Sequence, residues 1–488
     1  MYIYFVFHFC WEYVLKRLIL KFFGNISRII MKNIKYKKFS LLFFLVFLQV
    51  FFICSLKCMQ HREMLPPAQV RLAAKDNVVE KYFEQENKKF KYFFTGQVAS
   101  AASYDSNQFV GLVQDAVLFY PSAQKLDATG LDINDKDQSD MFALNASIKS
   151  LFSGPDLWGA KVLGRIEFAF SGIKNDIAGI TNLSSAYVSF LWKNTEMRFG
   201  HFFHPLALDN VYPTPVSGSE GLGYDPSRRS PMIRIVHRID KFRFILSVAK
   251  VFDSIASNRA AMPDLFGQLN LKLSDKYIFG AGLNYHAEVP RLQTDNGYKT
   301  TEQVNGLSAF IFARLMLLNF LVKTRFTYIE NGNNFGIMGS YSVVSRNAVT
   351  DERIYAPMRT AAIWADIVFV DSKKIEPAVF IGFAKNLGTS KKILKCYSRQ
   401  VAEKDVNLSL INVNSLVQDA QYMFQISPRA RMQVKDFIFG LEAGYYRAAF
   451  AKNSLQAGWQ DDYDCNAKVV NAKPASDIRL IFSVIYTF

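Results

Sequence analysis

The chain has 488 residues, half of them apolar and 15% aromatic, yet its mean hydropathy is only +0.04. That mixture excludes a helical membrane protein, which needs several runs of about 20 apolar residues, and suits a barrel with apolar outer and polar inner faces. The formal net charge is +16, but the basic residues are scattered through strand-like segments rather than clustered, so nucleic acid is not expected as a partner.

In chain order, Lys32, Lys35, Lys37 and Lys38 precede an apolar run from Phe39 to Leu56. This reads as an N-terminal extension and signal peptide over 1–58, with cleavage near residue 58; an uncleaved anchor is the alternative, and Met31 is an alternative start. Ser55-Leu56-Lys57-Cys58 is a poor lipoprotein box because Lys57 is bulky. Residues 59–90 are polar, and Lys75 to Lys89 has the composition of a helix, so a short periplasmic helix or a flexible lead-in is expected.

From Lys91 onward, alternating segments recur, and 91–488 is expected to form an all-β transmembrane antiparallel barrel. Sixteen strands are predicted. The first eight are 91–104, 140–152, 159–171, 183–193, 196–203, 231–239, 242–252 and 264–273. The second eight are 277–288, 303–316, 320–330, 357–370, 375–386, 420–434, 437–450 and 475–488. Short turns such as Asp240-Lys241 and Leu318-Asn319 alternate with long loops, the asymmetry of periplasmic turns against extracellular loops. Phe335 to Val344 also reads as a strand. An odd count would put long loops on the short-turn side, so 331–356 is taken as one extracellular hairpin. In the last segment, Ile478, Leu480, Phe482, Val484, Tyr486 and Phe488 form one apolar face. That ending is similar to the C-terminal assembly signal of outer-membrane proteins; a core strand of a soluble sandwich is the alternative.

The same alternation sorts side chains by face. The inward, pore-lining set is Lys149, Arg165, Glu167, Arg198, Arg234, Arg238, Arg243, Lys272, Lys323, Arg325, Asp366, Arg429, Arg431, Glu442, Asp477 and Arg479. Its basic surplus predicts preference for anions, unless the arginines are neutralised by loop carboxylates. The Pro- and Gly-rich loop 204–230 suits a folded-in constriction presenting Asp209, Glu220, Asp225, Arg228 and Arg229; a plain surface loop is the alternative. His201 and His204 fall on opposite faces and are not expected to bind metal. No cofactor and no enzymatic constellation is expected.

Gly164-Arg165-Ile166-Glu167-Phe168, Ala186 to Phe190, Met197-Arg198-Phe199-Gly200, Tyr355 through Trp364, Phe383 to Gly388 and the closing strand resemble trimeric outer-membrane porins of the DcaP-like branch. The resemblance implies a homotrimer of sixteen-stranded channels for small, often anionic, solutes. The expected function is therefore a bacterial outer-membrane diffusion channel, contacting membrane lipid outside and small hydrophilic anions inside. The alternative is a non-conducting surface antigen or adhesin. By this topology Cys396 and Cys465 lie in neighbouring extracellular loops, and a disulfide between them is expected, against two free thiols.

Overall fold

The computed structural model describes residues 91–112, 117–171, 180–208, 211–216, 221–251, 254–371, 375–394, 417, 419–452 and 459–488. The regions expected at 1–58 and 59–90 lie outside the described residues, as do Asp209, Glu220 and Cys396.

The early strands are β1 (Lys91–Asp105), β2 (Phe109–Leu112), β3 (Val117–Pro121), β4 (Gln138–Ser153), β5 (Lys161–Ser171) and β6 (Ile180–Leu191). Next come β7 (Thr195–Phe203), β8 (Arg229–Ile239), β9 (Phe242–Ala249), β10 (Asp264–Ser274), β11 (Tyr277–Glu288), β12 (Val304–Leu317) and β13 (Phe320–Glu330). The last are β14 (Tyr341–Arg346), β15 (Arg353–Phe369), β16 (Ile375–Thr389), β17 (Ala420–Val434), β18 (Phe437–Ala451) and β19 (Ala472–Thr487). Sixteen of them form a closed antiparallel ring: β1, β4 to β13, and β15 to β19, with β19 returning to β1. The seam runs from Gln97↔Thr487 to Asp105↔Arg479, and closure gives every strand of the ring a neighbour on both sides.

Further described elements stand outside the ring. β14 pairs only with the upper end of β15, Tyr341↔Pro357 to Arg346↔Arg353, so 331–356 is a hairpin on the long-loop rim, as parity required. The β2–β3 hairpin and a short helix α1 (Ile255–Arg259) occupy two other long loops and were not anticipated. At the opposite rim, Asp240, Leu318 and Lys435 take φ values of 50°, 54° and 52°. Positive φ at the first turn residue matches the twist of flanking strands and closes tight hairpins there.

Alternation places Phe482, Tyr486 and Phe488 on the outer face together with Leu265, Leu269, Phe279 and Leu283, all well exposed. An apolar outer belt is what a bilayer core demands of a barrel. On the short-turn rim, Trp158, Phe190 and Trp192 stack with centroids 6.1 and 6.3 Å apart, an aromatic girdle in miniature. Inside, Phe310 and Phe312 lie over Gly282 and Gly280 of the neighbouring strand. A Cβ at Gly282 would come within 2.4 Å of the Phe310 ring.

Candidate functional site: an inserted loop and two unlike walls

The segment after β7 turns inward. His204 is fully buried, and its backbone N–H donates to the Arg228 carbonyl at 2.8 Å, closing the neck of the 204–228 loop. From there Leu206, Leu208, Val211 and Tyr224 pack on inward side chains of β8 to β16, among them Ile245, Phe266, Phe310, Trp364 and Phe380. The loop fits because the wall is hollowed where it lies: a Cβ on Gly382 would meet the Tyr224 ring at 2.6 Å, and one on Gly440 would meet Val216 at 2.8 Å. It is also tied to the long-loop rim, where Gly223 N–H donates to Gly336 O (3.1 Å) and Ser227 N–H to Phe335 O (3.0 Å).

Polar groups of β13, β15, β17 and β18 then grip this loop, mostly by its backbone. Lys323 Nζ donates to the Tyr212 carbonyl at 2.7 Å. Asp366 sits between Lys323 (2.9 Å) and Arg429 (2.6 Å) and accepts the Thr214 N–H at 3.2 Å. Arg431 donates to the carbonyls of Thr214 and Pro215, and Glu442 accepts the Val216 N–H at 2.6 Å. Arg325 donates to the Leu206 carbonyl and pairs with Asp225 at 3.0 Å; Trp364 Nε1 shares that carboxylate at 2.9 Å. Buried charges persist only when paired and hydrogen-bonded, and here the partners are loop peptide groups and two carboxylates.

The wall formed by β4 to β9 differs. Lys149 and Glu167 stand opposite in register at 3.4 Å, and Arg165 adds a 2.6 Å contact to the same carboxylate. Glu196 lies 2.6 Å from Arg198 and 4.0 Å from Arg234. Arg198 stacks over Tyr187 at 4.2 Å, and Arg198 and Arg234 flank Phe202 at 5.2 and 5.1 Å. Arg198 pairs directly with Arg234, and Arg238 with Arg243, across adjoining strands. Like charges placed opposite each other cost stability, and Glu196 beside the first pair offsets part of that cost.

Exposure separates the two walls. The side chains of Lys149, Arg165 and Arg198 keep 28, 26 and 21% of their surface, whereas Lys323, Arg325 and Arg429 keep 5, 0 and 0%. The inward set read from alternation is thus two sets. Lys149, Arg165, Arg198, Arg238 and Arg243 border the water-accessible side, with Glu167 and Arg234 buried among them. Lys323, Arg325, Asp366, Arg429 and Glu442 are covered, and with Arg431 they hold the loop. Arg479 is covered too, 3.5 Å from Asp105 and beneath the Phe109 ring, while Asp477 accepts from Ser106 and the Asn107 N–H. Lys272 lies at the short-turn rim, paired with Asp275.

Of the expected constriction residues, Asp225 is in the clamp. Arg229 instead begins β8 with its guanidinium 4.1 Å over the Phe203 ring, and Arg228 contributes its carbonyl to the loop neck. The wall grips the loop mostly by its main chain, which asks little of the loop's own side chains. Tyr212, Thr214 and Tyr224 were missed for the same reason; Gly382 and Gly440, small residues at inward positions, were the available signal. His201 pairs in register with Pro231 and Ala186 on the outer face, and His204 is inside. Cys465 is disulfide-bonded.

No protein-family model and no curated protein matches the chain. Among solved structures, the outer-membrane channel DcaP of Acinetobacter baumannii is similar at 15% identity and a TM-score of 0.57, covering 83% of this chain and 99% of that one. An anion-selective porin from Comamonas acidovorans is similar at 10% identity and a TM-score of 0.48, covering 82% and 100%. Salmonella typhi OmpF in complex with daunomycin follows at 12% and 0.47, covering 83% and 99%. The likeness to the DcaP channel is one of fold: this chain has the sixteen-stranded porin architecture.

Proposed function

We propose, from that architecture, that the protein is a channel of the bacterial outer membrane, admitting small hydrophilic solutes and preferring anions. The apolar outer belt supports the bilayer setting, with the tight-turn rim facing the periplasm. One observation carries the anion preference. On the water-accessible wall, Lys149, Arg165, Arg198, Arg234, Arg238 and Arg243 stand with the carboxylates Glu167 and Glu196, a basic surplus among these described side chains. Basic side chains lining a low-dielectric passage lower the entry cost of anions. The test is the reversal potential of the purified protein in planar bilayers under a potassium chloride gradient. An anion-directed potential is expected; a clear cation preference overturns the reading. The homotrimer rests on the family resemblance, and the mass of the detergent-solubilised protein checks it.

A second reading is a non-conducting barrel acting through its loops as an antigen or adhesin. The inserted loop and the apolar wall it covers, which together fill part of the lumen, favour it. Absence of conductance in a folded, reconstituted protein would decide for it.

A further inference from the structure

Charge on the outer wall is one-sided. Among the described outward positions of the ring, the charged side chains are Arg229, Glu330, Arg359, Lys385 and Arg447, every one toward the long-loop end. Arg359, Lys385 and Arg447 belong to β15, β16 and β18. A run of about ten residues separates each from the short-turn end of its strand, Phe369, Ile375 or Phe437, a climb of about 25 Å in a tilted strand. That is the height of a barrel's apolar band, so these cations stand where lipid headgroups begin. Lys385 is opposite Tyr422 in register, and Arg447 lies beside the phenols of Tyr422 and Tyr445. One step toward the belt, Phe383 is opposite Phe424, with their rings 6.1 Å from Tyr422 and 6.5 Å from Tyr445 respectively. Arg359 faces Glu330 in register and commits its guanidinium to the Gly388 and Thr389 carbonyls at 3.0 and 2.8 Å. Lys385 is exposed, and among the described residues no carboxylate pairs with Lys385 or Arg447.

We propose that Lys385, Tyr422 and Arg447 form a docking face for a lipid whose headgroup ends in a phosphate monoester, in the leaflet on the long-loop side. The phosphate lies on the ammonium, the phenol and the guanidinium, and the acyl chains run down over Phe383 and Phe424. A cation on a lipid-facing wall is costly in hydrocarbon and tolerated at the interface, where an anionic phosphate supplies the partner that the protein does not. Two cations match a phosphate monoester, of about −1.5 to −2 charge at neutral pH, better than a zwitterionic headgroup. Tyrosine suits the same level, with an apolar ring and a polar tip. The proposal rests on the bilayer setting given above and is independent of whether the barrel conducts.

Native mass spectrometry of the full protein, released from micelles holding equal amounts of dioleoyl phosphatidic acid and dioleoyl phosphatidylcholine, tests this. Phosphatidic acid is expected to be retained about tenfold over phosphatidylcholine, the scale of one hydrogen bond to a charged group. Lys385→Gln with Arg447→Gln should bring the two lipids level, and Lys125→Gln, at an exposed loop cation, should leave the preference unchanged. Should the double variant fail to fold, Lys385→Gln alone should lower the preference severalfold. Equal retention by the unaltered protein overturns the proposal, as does a preference that survives both substitutions. Displacement of the lipid by millimolar glycerol 3-phosphate would assign the face to soluble phosphates and overturn the lipid. Lys385 shielded from an amine-labelling reagent by a second copy of the chain, with no lipid retained, would overturn it too. A barrel that selects the lipid but does not conduct overturns the channel reading alone; one that does not enter bilayers overturns the setting and this face together.

Discussion

Asp225 of the inserted loop and Arg325 of the barrel wall meet at 3.0 Å, and both side chains are almost fully buried. The pair joins chain segments 100 residues apart, and the same carboxylate holds Trp364 Nε1. Removing one partner of a buried ion pair strands the other charge and typically costs about 3–5 kcal/mol. Asp225→Ala should therefore lower the unfolding midpoint in detergent markedly, and raise current fluctuations as the loop loosens. An unchanged midpoint with quiet channels would show that Arg325 does not depend on this carboxylate.

Neutralising cations should have opposite consequences on the two walls. Arg198→Gln with Arg238→Gln is expected to lower the anion-over-cation permeability ratio severalfold while leaving the melting temperature within a few degrees. Arg429→Gln, which strips Asp366 of a 2.6 Å partner, should instead destabilise the fold. Reversal potentials and thermal melts on the same preparations distinguish these effects. Equal loss of selectivity from both sets would dissolve the distinction between the walls.

Gly382 is the seat of the Tyr224 ring. Its replacement by Ala would put a Cβ within 2.6 Å of that ring, so the loop must shift away from β16. Gly382→Ala should change the single-channel conductance and lower stability, and Tyr224→Ala in the same background should restore part of the stability. This is a sharper probe than deleting 213–227. The deletion would uncover an apolar wall and the clamp cations together, so a misfolded barrel, rather than a wider one, is the expected outcome.

At the long-loop rim, Arg291 contacts Glu302 at 2.8 Å and Asp351 at 2.6 Å, and Arg346 and Arg353 converge on Asp351. Burial opposes the charged form of both carboxylates. Hydrogen bonds from Arg291, with the Arg353 N–H on Glu302 and the Asp295 N–H on Asp351, outweigh it and hold both below the ordinary carboxylate range. A depressed carboxyl contributes its full stability above the unfolded value, about pH 4, and loses it as pH falls toward the folded one. Protease protection of 289–303 and 347–352 should thus be flat from pH 8 to about 5 and decline below about 4. Asp351→Asn should reduce it at every pH. Protection that rises on acidification would contradict the assignment.

Ile393 N–H donates to the Cys465 carbonyl at 2.9 Å, and Thr389 N–H to the Asn466 carbonyl at 2.6 Å. The chain approaching residue 396 therefore runs beside Cys465, which is disulfide-bonded. We expect Cys396 as its partner. Such a bridge closes a loop of about seventy residues, worth roughly 4 kcal/mol in the chain-entropy account. Mass spectrometry of non-reduced digests should recover the joined peptides. Cys396 alkylatable in the native protein would exclude the pairing.

Strand number, hairpin parity and the outer belt were legible in the amino-acid order. They depend on a period of two and on the exclusion of polar side chains from lipid, both local properties. Ile478 to Phe488 shows its apolar face without reference to any other residue. The lumen was less legible. Arg198 and Arg429 occupy equivalent inward positions in similar strands, yet one meets water and the other is sealed beneath Thr214. Ala309 to Ala313 is apolar on both faces, a hint that something covers the inside, but nothing local says what. Contacts such as Val216 with Glu442 span 226 residues. Only the closed barrel, by bringing loop peptide groups against wall charges, decides which cations line the passage and which hold the loop.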